Sequence, residues 1–93
     1  MIRDAADPGA LADAARVLRD GGFVLFPTES YYGAAAHALD AEAVAGLVRA
    51  KGRPPESPLP LILPDRSAVS QLVLRVPEAA VPLMARHWPG PLT

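Results

Sequence analysis

Apolar positions near the start of the chain recur at helical spacing. Leu11, Ala14, Ala15 and Leu18 share one face. Asp7-Pro8 ahead of them reads as an N-cap followed by proline at the first helical position, and Gly21-Gly22 ends the helix. The pattern then changes: Phe23-Val24-Leu25-Phe26 is a continuous apolar run closed by Pro27, as in a buried strand. A polar loop, Pro27-Thr28-Glu29-Ser30-Tyr31-Tyr32-Gly33, follows at the carboxyl end of that strand, where α/β proteins commonly bind ligands. Asp40 caps a second helix with Ala43, Val44, Leu47 and Val48 on one face, and its C-terminus runs into Lys51-Gly52-Arg53. Pro54, Pro55, Pro58 and Pro60 form a stiff extended linker to a second strand, Leu61-Ile62-Leu63, stopped by Pro64. Asp65 caps a third helix carrying Ala68, Val69 and Leu72. Pro77 opens a fourth, running to about His87, with Pro82 near its first turn or at a kink.

The order helix, strand, helix, strand, helix, helix predicts an α/β fold. Two short strands make a poor sheet by themselves. Either residues 29–39 hold a further strand, or the fold continues beyond Thr93.

Composition narrows the function classes. The chain has 93 residues, 51% of them apolar and 5% aromatic, so its core must be aliphatic, built from 18 Ala and 12 Leu. It has no cysteine, which excludes a disulfide scaffold and any thiolate metal site. No apolar run reaches the roughly 18 residues of a membrane span, and the charged N-terminus is not a signal peptide, so a soluble cytoplasmic protein is expected. The net charge of −1 gives no general attraction to nucleic acid. Its distribution is uneven: residues 1–46 carry three Arg against seven acids, and residues 47–93 carry six basic groups against three acids. Arg49, Lys51 and Arg53 form the tight part of the basic half. No GxxxxGK[ST] loop, GxGxxG fingerprint, HExxH pair or GxSxG elbow can be written from the sequence. His37 and His87 stand alone, without carboxylates at ligand spacing, and read as ordinary surface or core residues.

Two segments retain chemistry. The loop after the first strand offers the hydroxyls of Thr28, Ser30, Tyr31 and Tyr32 and the carboxylate of Glu29. Lys51 and Arg53 offer two cations with a proline just downstream. Such a pair can clamp a polyphosphate, arginine through its planar fork and lysine as a point charge. The same residues also fit an ordinary basic helix end and a solvated loop, and residue types alone do not choose between the readings.

Taken together, the segments resemble a known family. GGFVLFPTESYYG is similar to the GG-(I/V)-(V)-x-(F/Y)-PTET-x-YG signature of the YrdC/Sua5 family, KGRPPESPLPLIL resembles its KxRP-x-x-x-PL segment, and HWPGPLT its WPGPLT turn. The three occur in the family's order and span roughly residues 8–93. The resemblance implies an open, twisted YrdC-like α/β sheet with flanking helices around a positively charged cavity. It implies L-threonylcarbamoyladenylate synthase activity, in which L-threonine, bicarbonate and ATP give threonylcarbamoyl-AMP and pyrophosphate for the modification of adenosine 37 in tRNA. ATP is then a substrate, Mg2+ its expected companion, and tRNA or double-stranded RNA a possible partner. No protein-held metal and no protein nucleophile are implied. Two other readings are a non-catalytic RNA- or nucleotide-binding remnant and the YrdC-like module of a carbamoyltransferase.

Carried over residue by residue, Lys51 and Arg53 match KxR and would hold the ATP phosphates as the catalytic pair. Thr28 matches the first Thr of PTET in the loop lining the nucleotide and threonine pocket. Ser30 stands at the second Thr and Tyr32 at the YG tyrosine, both placed to meet L-threonine. Ser57 lies just before the PL proline, where members often carry Asn or another polar residue that helps bind ATP. Gly33 serves a tight backbone position, and Trp88 and Pro89 a rigid turn. Family members continue past PGPLT with a Ser-x-Asn segment and further strands. Residues 1–93 are therefore expected to be the N-terminal portion of a single YrdC-like domain, with apolar surface exposed and marginal stability alone.

Overall fold

The computed structural model describes residues 1–93, which form two compact units, Met1–Pro58 and Leu59–Thr93. In the first unit, helix α1 (Ala10–Arg19) is followed by strands β1 (Val24–Pro27) and β2 (Tyr32–Ala35) and by helix α2 (Ala41–Ala50). The strands pair antiparallel in the register Val24–Ala35, Leu25–Ala34, Phe26–Gly33 and Pro27–Tyr32. The sequence thus holds a strand inside residues 29–39, and the chain is α/β with a two-stranded hairpin and helices. Pro27 closes β1 at its last position, where no further ladder donor is needed.

The N-terminal expectation needs correcting. Asp7 does not cap α1, which starts at Ala10 with Gly9 before it. The Asp7 carboxylate instead accepts from the Gly9 N–H at 2.9 Å, in the turn leading into the helix. It also pairs with Arg3 at 2.6 Å. Arg3 and the Gly9 amide, in that order, hold the Asp7 carboxyl below its ordinary range. Leu11, expected on the buried face of α1, is 81% exposed, and Ala10, Asp13, Ala14, Ala15, Val17 and Leu18 are the half-buried positions. The helix packs on β1.

Helix α2 follows its sequence pattern. Asp40 caps it by accepting from the Ala43 N–H at 3.0 Å. Ala43, Leu47 and Val48 face inward and are the only buried apolar residues of the chain, with Val44 half-buried beside them. The Phe23 ring lies over Gly46, where an added Cβ would meet it at 3.2 Å.

Gly33 is needed for space. A Cβ there would lie 2.6 Å from Cζ of Phe26, its cross-strand partner, and 2.9 Å from Cε2. The ring covers the glycine as aromatic residues cover strand glycines in designed sheets. Gly33→Ala is therefore expected to push Phe26 off its rotamer and cost about 1–3 kcal/mol, read as a lowered urea midpoint.

In the second unit, two expectations fail. Leu61-Ile62-Leu63 is not a strand and pairs with nothing. A strand exists only through its ladder, and Pro60 and Pro64 flank these three residues without donors. The Asp65-capped segment is a 3₁₀ helix, Arg66–Gln71, rather than an α-helix. Asp65 accepts from the hydroxyl and the N–H of Ser67, which together lower its pKa, and Ser70 bonds back to the Ser67 carbonyl. Such local side-chain bonds compete with α-helical pairing. Helix α3 spans Ala80–His87 and takes Pro82 in its first turn, where no intrahelical donor is lost. Trp88 follows, its Nε1–H donating to the Leu92 carbonyl at 2.7 Å, as a structural turn residue should. No helix of the chain is long and apolar enough to cross a membrane.

Candidate functional site

All six site residues singled out from the sequence lie in the first unit, in two groups. Thr28 and Ser30 belong to the turn joining β1 to β2, and Tyr32 is the first residue of β2. Lys51, Arg53 and Ser57 belong to the segment that leaves α2. No side-chain hydrogen bond or ion pair links one group to the other. Neither group lines the concavity of about 670 Å³ between the start of β1 and α2.

The turn is tied together at Thr28. Its N–H donates to the Tyr31 carbonyl at 3.1 Å. Its Oγ1 accepts from the N–H groups of Ser30 at 3.3 Å and Tyr31 at 3.1 Å, and donates to the Tyr31 carbonyl. The Ser30 and Tyr32 hydroxyls make no hydrogen bond within the protein. Ser30 is exposed and Tyr32 is 78% exposed, so both hydroxyls are open to a ligand.

The basic segment is positioned by the way α2 ends. Gly52 has φ +68°, in the left-handed region. The Gly52 N–H donates to the Arg49 carbonyl at 2.9 Å and the Arg53 N–H to the Val48 carbonyl at 3.1 Å. This is a Schellman motif with glycine one position past the cap. It turns the chain between Lys51, the C-cap residue, and Arg53. Both side chains are exposed, and the ion pairs of the chain involve only Arg3, Asp7, Asp13 and Arg16. Two unpaired cations thus flank a fixed turn. Pro54 then opens a second turn closed by the Ser57 N–H on the Pro54 carbonyl at 3.0 Å. Ser57 is half-buried, and its hydroxyl makes no bond within the protein.

Gly52 was not among the site residues read from the sequence. The signal was present as a glycine just past the last periodic position of the helix. A Cβ at Gly52 would meet nothing within 4 Å, so the constraint is purely one of backbone conformation. Gly52→Ala is expected to lose about 1 kcal/mol in urea unfolding. Gly52→Asn should lose less, because asparagine tolerates the left-handed region.

The Sua5/YciO/YrdC family model, described as telomere recombination, matches residues 16–93 and so covers every one of these positions. The chain belongs to the Sua5/YrdC family. Curated relatives of this family agree along nearly the whole chain. A threonylcarbamoyl-AMP synthase of Pyrococcus abyssi is 40% identical over 92 residues, covering 99% of this chain and 27% of the relative. One from Bacillus subtilis is 45% identical over 83 residues, covering 89% and 24%. A putative threonylcarbamoyl-AMP synthase of Mycobacterium leprae is 36% identical over 96 residues, covering 99% and 44%. The chain thus spans between about a quarter and under half of the length of these Sua5/YrdC relatives. No solved structure gives a significant match.

Proposed function

We propose that this chain is the N-terminal portion of a single YrdC-like domain of a threonylcarbamoyl-AMP synthase, in which it supplies the ATP-phosphate clamp and one wall of the L-threonine pocket. The hairpin would then be part of the larger open sheet of that domain. The observation that carries the reading is the pair of unpaired, exposed cations, Lys51 and Arg53, held about the left-handed Gly52 in a family whose relatives bear that name.

The chemistry needs positioning and charge more than a nucleophile of the protein. The amine of L-threonine condenses with bicarbonate, losing water, to give a carbamate. A carbamate oxygen attacks the α-phosphorus of ATP, and the bond to the bridging oxygen breaks as pyrophosphate leaves. Lys51 and Arg53 offset the negative charge on the phosphates, with Ser57 beside them. Ser30 and Tyr32 offer hydroxyls to L-threonine. No three His, Asp or Glu side chains approach closely enough to hold a metal ion. Magnesium, expected with ATP, would be held largely by the phosphates and water. The product would pass to tRNA in the cytoplasm.

A second reading, RNA or nucleotide binding without turnover, is favoured by one feature: Arg49, Lys51 and Arg53 put three exposed, unpaired cations within five residues. The test is ATP binding and threonine-dependent pyrophosphate release by residues 1–93, each with Lys51→Ala as control. ATP binding lost on substitution, without turnover, is expected for a portion of the domain. Turnover by residues 1–93 would overturn the assignment as a portion. Salt-sensitive RNA binding with no affinity for ATP would favour the second reading.

A further inference from the structure

Helix α1 has no side-chain cap, because its N-cap is Gly9. The chain ahead of it is organised around one side chain, Arg3. Arg3 Nη2 and Nε donate to Asp7 Oδ2 at 2.6 and 3.3 Å. Its Nη1 donates to Asp13 Oδ2, ten residues on in the first turn of α1. The other Asp13 oxygen takes Arg16. Gly9 leaves room for the guanidinium, since an added Cβ there would lie 3.3 Å from Arg3 Nη2. Asp4 folds the chain between, accepting from the Ala6 N–H at 2.9 Å through its carboxylate and from the Asp7 N–H at 3.0 Å through its carbonyl.

Arg3 is the one residue of the first six that bonds to α1. Met1 and Ile2 are 93% and 99% exposed, so no apolar packing shares the task. The contact is also opposed from within: a cation beside a helix N-terminus faces the positive end of the helix dipole. The carboxylates of Asp7 and Asp13 offset that repulsion. Exposed ion pairs are individually weak and are screened by salt. What closes this segment is therefore electrostatic, carried by a single side chain, and close to balance.

We infer that residues 1–6 form an arm latched over the start of α1 by Arg3, and that ionic strength sets whether the latch is closed. The charged groups facing Arg3 are Asp7 and Asp13, with Arg16 behind Asp13. Open, the arm leaves Asp7 without a cation and Asp13 with Arg16 alone, and it frees a segment whose tip, Met1-Ile2, is apolar. The latch lies apart from Lys51 and Arg53 and does not depend on the reading given to them.

The test uses NMR on residues 1–93 at about 0.02 M and 0.5 M salt, which shortens the screening length severalfold. Two signals report the latch: exchange of the Arg3 Nε proton, referred to that of the unpaired Arg19, and the backbone order of residues 2–6. High salt is expected to speed the Arg3 exchange by about 2–10-fold, the range of one or two exposed ion pairs, and to loosen residues 2–6. Arg3→Gln should loosen them equally at both salt concentrations, and Asp13→Asn should loosen them at low salt. Amides of Ala43–Val48 in α2 should keep their protection throughout, which shows that the arm opens while the unit stays folded. An arm as ordered at high salt as at low would overturn the latch, and so would an Arg3→Gln arm as ordered as wild type. An arm already disordered at low salt would overturn it too. Loss of α2 protection together with the arm would also overturn it, because the arm would then be part of global unfolding.

Discussion

Leu47→Ala is expected to abolish the cooperative unfolding transition of the first unit. Leu47 is 5% exposed and is one of three buried apolar residues, with Ala43 and Val48. It is the largest of the three. Truncating a buried leucine to alanine typically costs about 2–5 kcal/mol through lost transfer energy and the cavity left behind. A domain of this size has a total stability at the low end of about 5–15 kcal/mol. With so few buried side chains, no second layer of packing can absorb the loss. Far-UV circular dichroism during urea unfolding is the measurement, and a sloping, non-sigmoidal curve is the expected result. Leu11→Ala is the control: Leu11 has the same side chain at 81% exposure, and its midpoint should stay within about 0.5 kcal/mol of wild type. A Leu47→Ala protein that unfolds as sharply as wild type would mean that α2 is not the centre of the core.

Lys51→Ala and Arg53→Ala are each expected to weaken ATP binding by about 10–150-fold. A hydrogen bond to a charged group contributes about 1.5–3 kcal/mol, and each substitution removes a cation that has no carboxylate of its own to satisfy. Loss of either side chain is thus not compensated by release of an internal partner. Arg53→Lys should recover charge but not the planar fork, and so only part of the affinity. Arg19→Ala removes another exposed, unpaired arginine, at the end of α1, and should leave binding unchanged. Isothermal titration with ATP at two salt concentrations decides the matter, because an affinity resting on these charges must fall as salt rises. Equal losses from Arg19→Ala would reduce the effect to net charge, and the clamp would fail.

Much of the first unit was legible because its signals are local. Helix α2 announced both ends, with Asp40 at its cap and glycine past its last turn, and its buried face followed from the spacing of Ala43, Leu47 and Val48. The run ending at Pro27 was legible as a strand because it is apolar throughout, but it is not a buried one: Leu25 is 73% exposed and no residue of β1 is buried. Strand β2 could be named only as a region, since Tyr-Gly-Ala-Ala has little strand propensity of its own. It is a strand because it pairs with β1, with Gly33 beneath the Phe26 ring. Leu61-Ile62-Leu63 shows the converse, a segment with strong strand propensity and no partner. Leu11 had the right spacing but lies on helix surface that nothing covers. At the candidate site, residue types were readable and geometry was not. Lys51 and Arg53 stood out as a pair of cations, but the left-handed Gly52 that separates them depends on backbone angles. The motif likewise gives no hint that the Thr28 hydroxyl is occupied by its own loop.

The prolines around Leu61-Ile62-Leu63 have a consequence for how this chain can associate with itself. An uncovered aliphatic strand is ordinarily a template for fibril growth, which needs six or seven consecutive residues stacking through their amides. Pro58, Pro60 and Pro64 cut the available stretch to three residues with intact donors. They act as gatekeepers. This segment is too short to seed a cross-β ladder, so its apolar surface can be sticky without being amyloidogenic.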